Sequence, residues 1–134
     1  MKVLIADDSE IFLKRLVSAV KEIHGAEVIA QARTGAEALH ALLNLHPEIV
    51  ILDIRMPEGT GIDVLKHMKK EKVNPVTIVL TNFSHSQYRK KCKQLGARYF
   101  FDKSTEFTKV GEVLRELLHT QSFSTREGTA ATGL

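Results

Sequence analysis

The chain has 134 residues, of which 43% are hydrophobic and 26% charged. That is the composition of one compact domain, long enough to bury a core without disulfide or metal staples. Nineteen basic against sixteen acidic residues give a net charge of +3, which by itself does not imply nucleic-acid binding. A single cysteine, Cys92, excludes an intramolecular disulfide and a multi-cysteine zinc site. The longest stretch without Asp, Glu, Lys or Arg, residues 73–88, is too short for a membrane span and includes Asn74, Pro75 and Asn82. The apolar run at 3–6 stops at Asp7-Asp8, unlike a secretory leader. The cytoplasm is therefore the expected compartment.

In chain order, residues 2–6 form a short apolar run that predicts a buried strand. Ser9 then caps a helix with Ile11, Phe12, Leu16, Val20 and Ile23 at helical spacing, and Gly25 ends it. Residues 27–32 read as a second strand. Thr34-Gly-Ala-Glu37 is a capping box that opens a second helix. Residues 49–53 are the strongest strand, β-branched and apolar on both faces, followed by a loop rich in Gly and Pro. A third helix is expected over 61–70 and a fourth strand over 76–81. Ser84-His-Ser-Gln87 reads as a further capping box, opening a helix to Leu95. Residues 99–102 are a fifth strand, and a last helix is expected over about 106–118. Residues 121–134, rich in Ser, Thr, Gly and Ala, read as a flexible tail after a domain of residues 1–120.

Five β-α units in strict alternation, with strands apolar on both faces, predict a parallel sheet covered by helices on each side. Function in such sheets sits beyond the carboxyl ends of the strands. Those ends carry Asp7-Asp8, Asp53, Thr81 and Lys103. Three carboxylates at one rim repel unless a cation neutralises them. Oxygen ligands beside a site for phosphate favour Mg²⁺. A nucleophilic carboxylate, a metal, a lysine and a hydroxyl together suit phosphoryl transfer.

These residues, with the loop Asp53-Ile-Arg-Met-Pro57-Glu-Gly-Thr-Gly61, resemble the response-regulator receiver domains of two-component signalling over roughly residues 1–120. The resemblance implies a flavodoxin-like, doubly wound sheet of strand order 2-1-3-4-5 with five flanking helices. It implies that Asp53 accepts phosphate and that Mg²⁺ is held by Asp8, Asp53, Asp7 through water, and the backbone carbonyl of Arg55. Thr81, Lys103 and Asn82 would contact the phosphoryl group, and Thr81 with Phe100 would form a switch acting on the face of helix four, strand five and helix five. The implied donor is a sensor histidine kinase or a histidine phosphotransfer protein, and the implied output is a protein partner of unknown identity, with a homodimer left open.

Departures from the family pattern are Ser104 where Pro is usual, Phe100 for the common Tyr, and Asn82 for a small residue. Arg55 and Phe83 stand where the family tunes hydrolysis, and this bulky set predicts a long-lived phosphoryl state. Arg89, Lys90, Lys91 and Lys93 on one helix read as a solvated face or as a docking face for an acidic partner. Direct nucleic-acid binding is disfavoured, since no aromatics interleave with those charges. None of the six histidines has ligand spacing.

The expectation is a stand-alone receiver without enzymatic turnover beyond its own phosphorylation and slow dephosphorylation. A receiver excised from a longer DNA-binding transcription regulator is the first alternative. An aspartyl-phosphate phosphohydrolase is the alternative from another class. Such enzymes place a second aspartate two residues on, where this chain has Arg55 after Asp53 and Ser9 after Asp7. A nucleotide-binding flavodoxin-like module lacks its glycine spacing.

Overall fold

The computed structural model describes the backbone of residues 1–132 and the side chains of residues 1–120. Five strands, β1 (Lys2–Ala6), β2 (Glu27–Ala32), β3 (Ile49–Leu52), β4 (Val76–Thr81) and β5 (Tyr99–Asp102), alternate with five helices. These are α1 (Glu10–Lys21), α2 (Gly35–Leu45), α3 (Gly61–Lys70), α4 (Ser86–Gln94) and α5 (Phe107–Thr132). The sheet is parallel throughout, in the order β2-β1-β3-β4-β5.

Successive side chains of a strand face opposite sides, and here both sides are apolar. Leu4, Val50, Leu52 and Val79 face one layer with Ala38 and Leu42 of α2, Val64, Leu65 and Met68 of α3, and Cys92 of α4. Val3, Ile5, Ile51, Ile78 and Leu80 face the other, with Leu13, Leu16 and Val20 of α1 and Val110, Val113 and Leu114 of α5. Each fully buried aliphatic side chain contributes ~1.5–3 kcal/mol. The doubly covered sheet therefore dominates stability and holds the strand ends at fixed separations.

Local signals differ from expectation at four points. Thr34 caps α2 as read, accepting from Glu37 N at 3.0 Å, but the Glu37 carboxylate accepts from Arg33 N rather than from the cap itself. A reciprocal capping box stands instead at α3, where Thr60 and Asp63 exchange backbone bonds. The box expected at Ser84–Gln87 does not form: α4 starts one residue later than that box requires, with His85 as a cap lacking any side-chain bond. Ser84 donates its hydroxyl to Asp102 Oδ2 on the neighbouring strand instead, a charge-assisted bond. Finally, α5 continues beyond the expected end near Leu118 to Thr132. The tail expected over 121–134 falls on side chains outside the described residues.

Two glycines let the loops at the functional rim close. A Cβ on Gly35 would lie 2.0 Å from Gly59 O, because the first turn of α2 donates Gly35 N to Pro57 O and Ala36 N to Glu58 O. A Cβ on Gly61 would lie 2.1 Å from Asp53 O. By contrast, a Cβ on Gly111 of α5 would meet only the flexible end of Arg115 at 3.2 Å and Ile23 at 4.0 Å. Gly35→Ala is expected to lower stability by ~1–3 kcal/mol through backbone overpacking. Gly111→Ala is expected to raise it by ~0.4–1 kcal/mol by reducing unfolded-chain entropy. Urea unfolding of both variants checks the opposite signs.

Candidate functional site

The backbone ladder continues one residue past the strands and seats the functional side chains. Asp7 N donates to Ala32 O at 2.9 Å, Asp53 N to Ala6 O at 3.0 Å, and Lys103 N to Thr81 O at 2.9 Å. Asp7, Asp53, Thr81 and Lys103 are all buried polar residues, brought to one rim as the strand ends predict. Asp8 is exposed beside them. Carboxylate oxygens of Asp7, Asp8 and Asp53 lie within 4.8 Å of one another.

Lys103 holds this cluster together. Its ammonium pairs with Asp7 Oδ2 and, at 2.8 Å, with Asp53 Oδ2. It also lies 4.3 Å from the centroid of the Phe12 ring on α1, which adds a cation–π contact. Asp7 Oδ1 is occupied by Ser9 N at 2.9 Å. Asp53 Oδ1 is buried and has no hydrogen-bond partner. Burial raises the pKa of Asp7, with the nearby Asp53 charge adding to it and Lys103 opposing. Burial works against the charge on Lys103, but the two carboxylates prevail and raise its pKa.

Three carboxylates against one ammonium leave an excess of negative charge around an unpartnered oxygen. A small cation with a preference for oxygen ligands fits that donor set.

Thr81 is fully buried, and its Oγ1 accepts from Phe83 N at 3.1 Å. Arg55 is exposed and stacks on Phe83, its guanidinium 4.9 Å from the ring centroid. Phe83 meets Tyr88 edge-on at 6.4 Å. Asn82 is exposed and makes no side-chain hydrogen bond among the described residues. Phe100 is 9% exposed and belongs to the α2–α3–α4 layer. The Lys103–Ser104 bond is trans, like every other peptide bond described.

Several contributors escaped sequence reading. Phe12 appeared only as a periodic apolar residue, yet it braces Lys103. Asp102 gathers Ser84 Oγ, Ser104 N, Ser104 Oγ and Thr105 N on its carboxylate, which holds its pKa well below the usual carboxylate range. This clasp joins the loop after Thr81 to the loop after Lys103. Arg89 of α4 donates to Phe100 O at 3.0 Å, stacks over the Phe100 ring at 4.6 Å and lies 4.0 Å from Glu106. A strand-end Asp followed two residues later by Ser is a readable signal for the Asp102 clasp; nothing in the sequence pairs Arg89 with Phe100.

Comparison with known proteins agrees with this geometry. The model of the response regulator receiver domain matches residues 3–115. The chain belongs to the response-regulator receiver family.

Among curated relatives, the uncharacterized transcriptional regulatory protein YvfU of Bacillus subtilis is 32% identical over 116 residues, covering 87% of this chain and 58% of that protein. A protein-glutamate methylesterase/protein-glutamine glutaminase of Treponema denticola is 30% identical over 125 residues, covering 88% of this chain and 34% of that protein. The receiver thus spans less than two thirds of the length of these curated relatives. Among solved structures, the CheX-CheY-BeF3-Mg+2 complex from Borrelia burgdorferi is 30% identical with a TM-score of 0.74, covering 85% of this chain and 89% of that one. The N-terminal domain of an uncharacterized protein from Wolinella succinogenes is 28% identical with a TM-score of 0.83, covering 92% and 98%. The flavodoxin-like receiver fold is thereby established. Among the described residues no helix is long and apolar enough to cross a membrane.

The raised pKa of Asp7 means that its folded form binds a proton more tightly than its unfolded form. Its contribution to stability is fully present below the unfolded value near 3.8 and is lost as pH rises through the folded value. Asp7→Asn removes that loss, its single oxygen serving either Lys103 or Ser9 N at a cost that does not vary with pH. Its stability relative to wild type is expected to be more favourable at pH 7 than at pH 4. Urea unfolding at both pH values, with chelator present, measures the difference.

Proposed function

We propose that this receiver takes a phosphoryl group from a phosphohistidine donor onto Asp53 and signals through the face formed by α4, β5 and α5. The observation that carries this reading is the division of labour on Asp53: Oδ2 is held by Lys103 while Oδ1 is left without a partner. An anchored carboxylate with one uncommitted oxygen suits a nucleophile.

Asp53 and Asp8, Asp7 through water, and the backbone carbonyl of Arg55 would hold Mg²⁺, which would neutralise charge on the phosphoryl oxygens. Asp53 Oδ1 attacks phosphorus as the phosphohistidine N–P bond breaks, its electron pair returning to the imidazole. Lys103, preplaced by two carboxylates, then has a phosphoryl oxygen to bind in place of part of its Asp pairing. The Thr81 hydroxyl, which accepts from Phe83 N, keeps its hydrogen for a second phosphoryl oxygen, and exposed Asn82 adds a polar contact at the mouth.

Drawing Thr81 toward phosphate strains its bond to Phe83 N, so occupancy of the site is felt in the β4–α4 loop. It also leaves space beside β4 into which the Phe100 ring can move, against the hold of Arg89. Lifetime is a separate matter: Arg55 and Phe83, each two residues past a site residue, stack on one another and would hinder the approach of water to the aspartyl phosphate. A receiver forming part of a longer DNA-binding regulator is a second reading, favoured by the relative YvfU, described as a transcriptional regulatory protein, of which this chain covers 58%.

Intact mass after incubation with Mg²⁺ and a small phosphodonor is expected to show one added phosphoryl group. The addition should be absent in Asp53→Ala and absent after prior chelation. Addition to Asp53→Ala would overturn the assignment, and repeated turnover of donor would favour a phosphohydrolase. Loss of the phosphoryl group is expected to quicken several-fold in Phe83→Ala, followed by mass after donor removal. An unchanged rate in that variant would show that the stack does not limit water.

A further inference from the structure

An ammonium carries three N–H donors. At Lys103 the carboxylates of Asp7 and Asp53 take up two of them. Among the described residues no third oxygen bonds this ammonium; the group that faces it instead is the Phe12 ring, whose centroid lies 4.3 Å from Nζ. The Lys103 side chain is only 7% exposed, so water competes little for the ring face, and a desolvated cation–π contact is stronger than an exposed one.

The ring is itself held from outside the site. Phe107, the first residue of α5, meets it edge-on, with centroids 5.4 Å apart and planes at 89°. The Arg15 guanidinium stands 4.5 Å from the Phe107 centroid and 5.2 Å from that of Phe12. Phe107 follows Lys103 by four residues, and the segment between them is tied down. Glu106 N donates to Asp102 O at 2.9 Å, and Asp102 N donates to Glu106 Oε1 at 3.1 Å. One short segment after β5 thus presents both a cation and a ring to the same side chain of α1.

We propose that Phe12 is a positioning residue whose ring face fixes the Lys103 ammonium, through the negative charge of that face and not through the volume it fills. The inference rests on the phosphoryl reading above for the reaction it serves. In that reaction Asp53 gives up its carboxylate charge as it becomes an acyl phosphate, so one of the two ion pairs on Lys103 slackens. The ring has no net charge to lose, and its attraction is the same before and after. It keeps the ammonium aimed at the incoming phosphoryl oxygens while the Asp53 pairing weakens, which is pre-organisation of an electrostatic group. Phe12 and Phe107 also pack on the α1–α5 side of the sheet. Packing depends on shape, whereas the hold on Lys103 depends on the ring quadrupole, and that difference separates the two roles.

The test replaces Phe12 in the full chain by mono-, di- and trifluorinated phenylalanine, by Tyr and by Leu. Fluorine withdraws charge from the ring face and leaves the shape nearly unchanged. The first readout needs no phosphate. In ¹⁵N-labelled protein the protons of the Lys103 ammonium are expected upfield of their position in Phe12→Leu, because they lie over a ring. Relaxation of that ammonium should report greater mobility with each added fluorine. The second readout is the rate of mass gain from phosphoramidate at saturating Mg²⁺. It is expected to fall in order of fluorine count, to drop about three- to tenfold in Phe12→Leu, and to stay within about twofold of wild type in Phe12→Tyr.

Ammonium mobility and rate that are both indifferent to fluorination overturn the proposal, and so does a Lys103 signal unchanged in Phe12→Leu. Where Phe12→Leu does not fold by circular dichroism, the fluorinated series decides alone. Phosphate acceptance by the wild type with a flat fluorination series sinks the role of Phe12 and leaves the phosphoryl reading standing. A wild type that takes no phosphate, while ammonium mobility still follows fluorine count, sinks the phosphoryl reading and leaves Phe12 as the residue that holds Lys103.

Discussion

The structure of the site depends on one buried ammonium. Lys103 stands between Asp7 and Asp53, all three largely removed from water. Desolvating an ion costs several kcal/mol, and the mutual attraction of the pair offsets this only when the geometry is good and remaining polar atoms are satisfied. Here both conditions are met for Lys103 and Asp7 and left unmet at Asp53 Oδ1. The imbalance is possible because the sheet is rigid. Five parallel strands covered on both faces deliver their ends to one rim, and backbone bonds pin Asp7, Asp53 and Lys103 just past those ends. The fold thus stabilises an arrangement of charge that the same residues would not adopt on a pliant scaffold.

The loops complete the constraint. Asp53 O lies against Gly61, and the loop after β3 lends its carbonyls to the first turn of α2, where Gly35 leaves room. The helix caps therefore do two things: they satisfy orphan amides, and they fix the chain that carries Asp53 and Arg55.

Much of this was legible in the sequence, and the reason is topological. When strands are parallel, residues adjacent to their ends must share a rim, so Asp7, Asp53, Thr81 and Lys103 could be grouped before any coordinates. The strand order came from family resemblance rather than from periodicity, which is silent on order. What could not be read were contacts whose partners are far apart in the chain. Ser84 stands at a local capping spacing but turns its hydroxyl to Asp102, eighteen residues away, in a charge-assisted bond that no local pattern announces. Phe12 reads as an apolar helix residue until Lys103 is found above its ring. The close approaches at Gly35 and Gly61 depend on loops meeting across the rim. The Thr60–Asp63 capping box, by contrast, was present in the local pattern and passed unread.

Helix α4 differs from its neighbours in how it is held. It buries one side chain, Cys92, whereas α1 and α3 each bury several. Cys92 packs as an inert group, its thiol pushed up to about 11 by burial. The helix has no side-chain cap and carries like charges at Arg89, Lys90 and Lys93; such i,i+3 and i,i+4 repulsions cost ~0.2–0.5 kcal/mol each. Cys92 with the partly buried Tyr88 and Leu95 packs it on the core, and Arg89 grips the carbonyl and ring of Phe100. A helix held by few buried contacts and one polar grip can shift at small free-energy cost. That grip falls on the strand that ends at Asp102, which clasps the β4–α4 loop, and is followed by Lys103, which holds Asp53. Displacements of Arg89, of the β4–α4 loop and of Lys103 are therefore transmitted along one short chain of contacts.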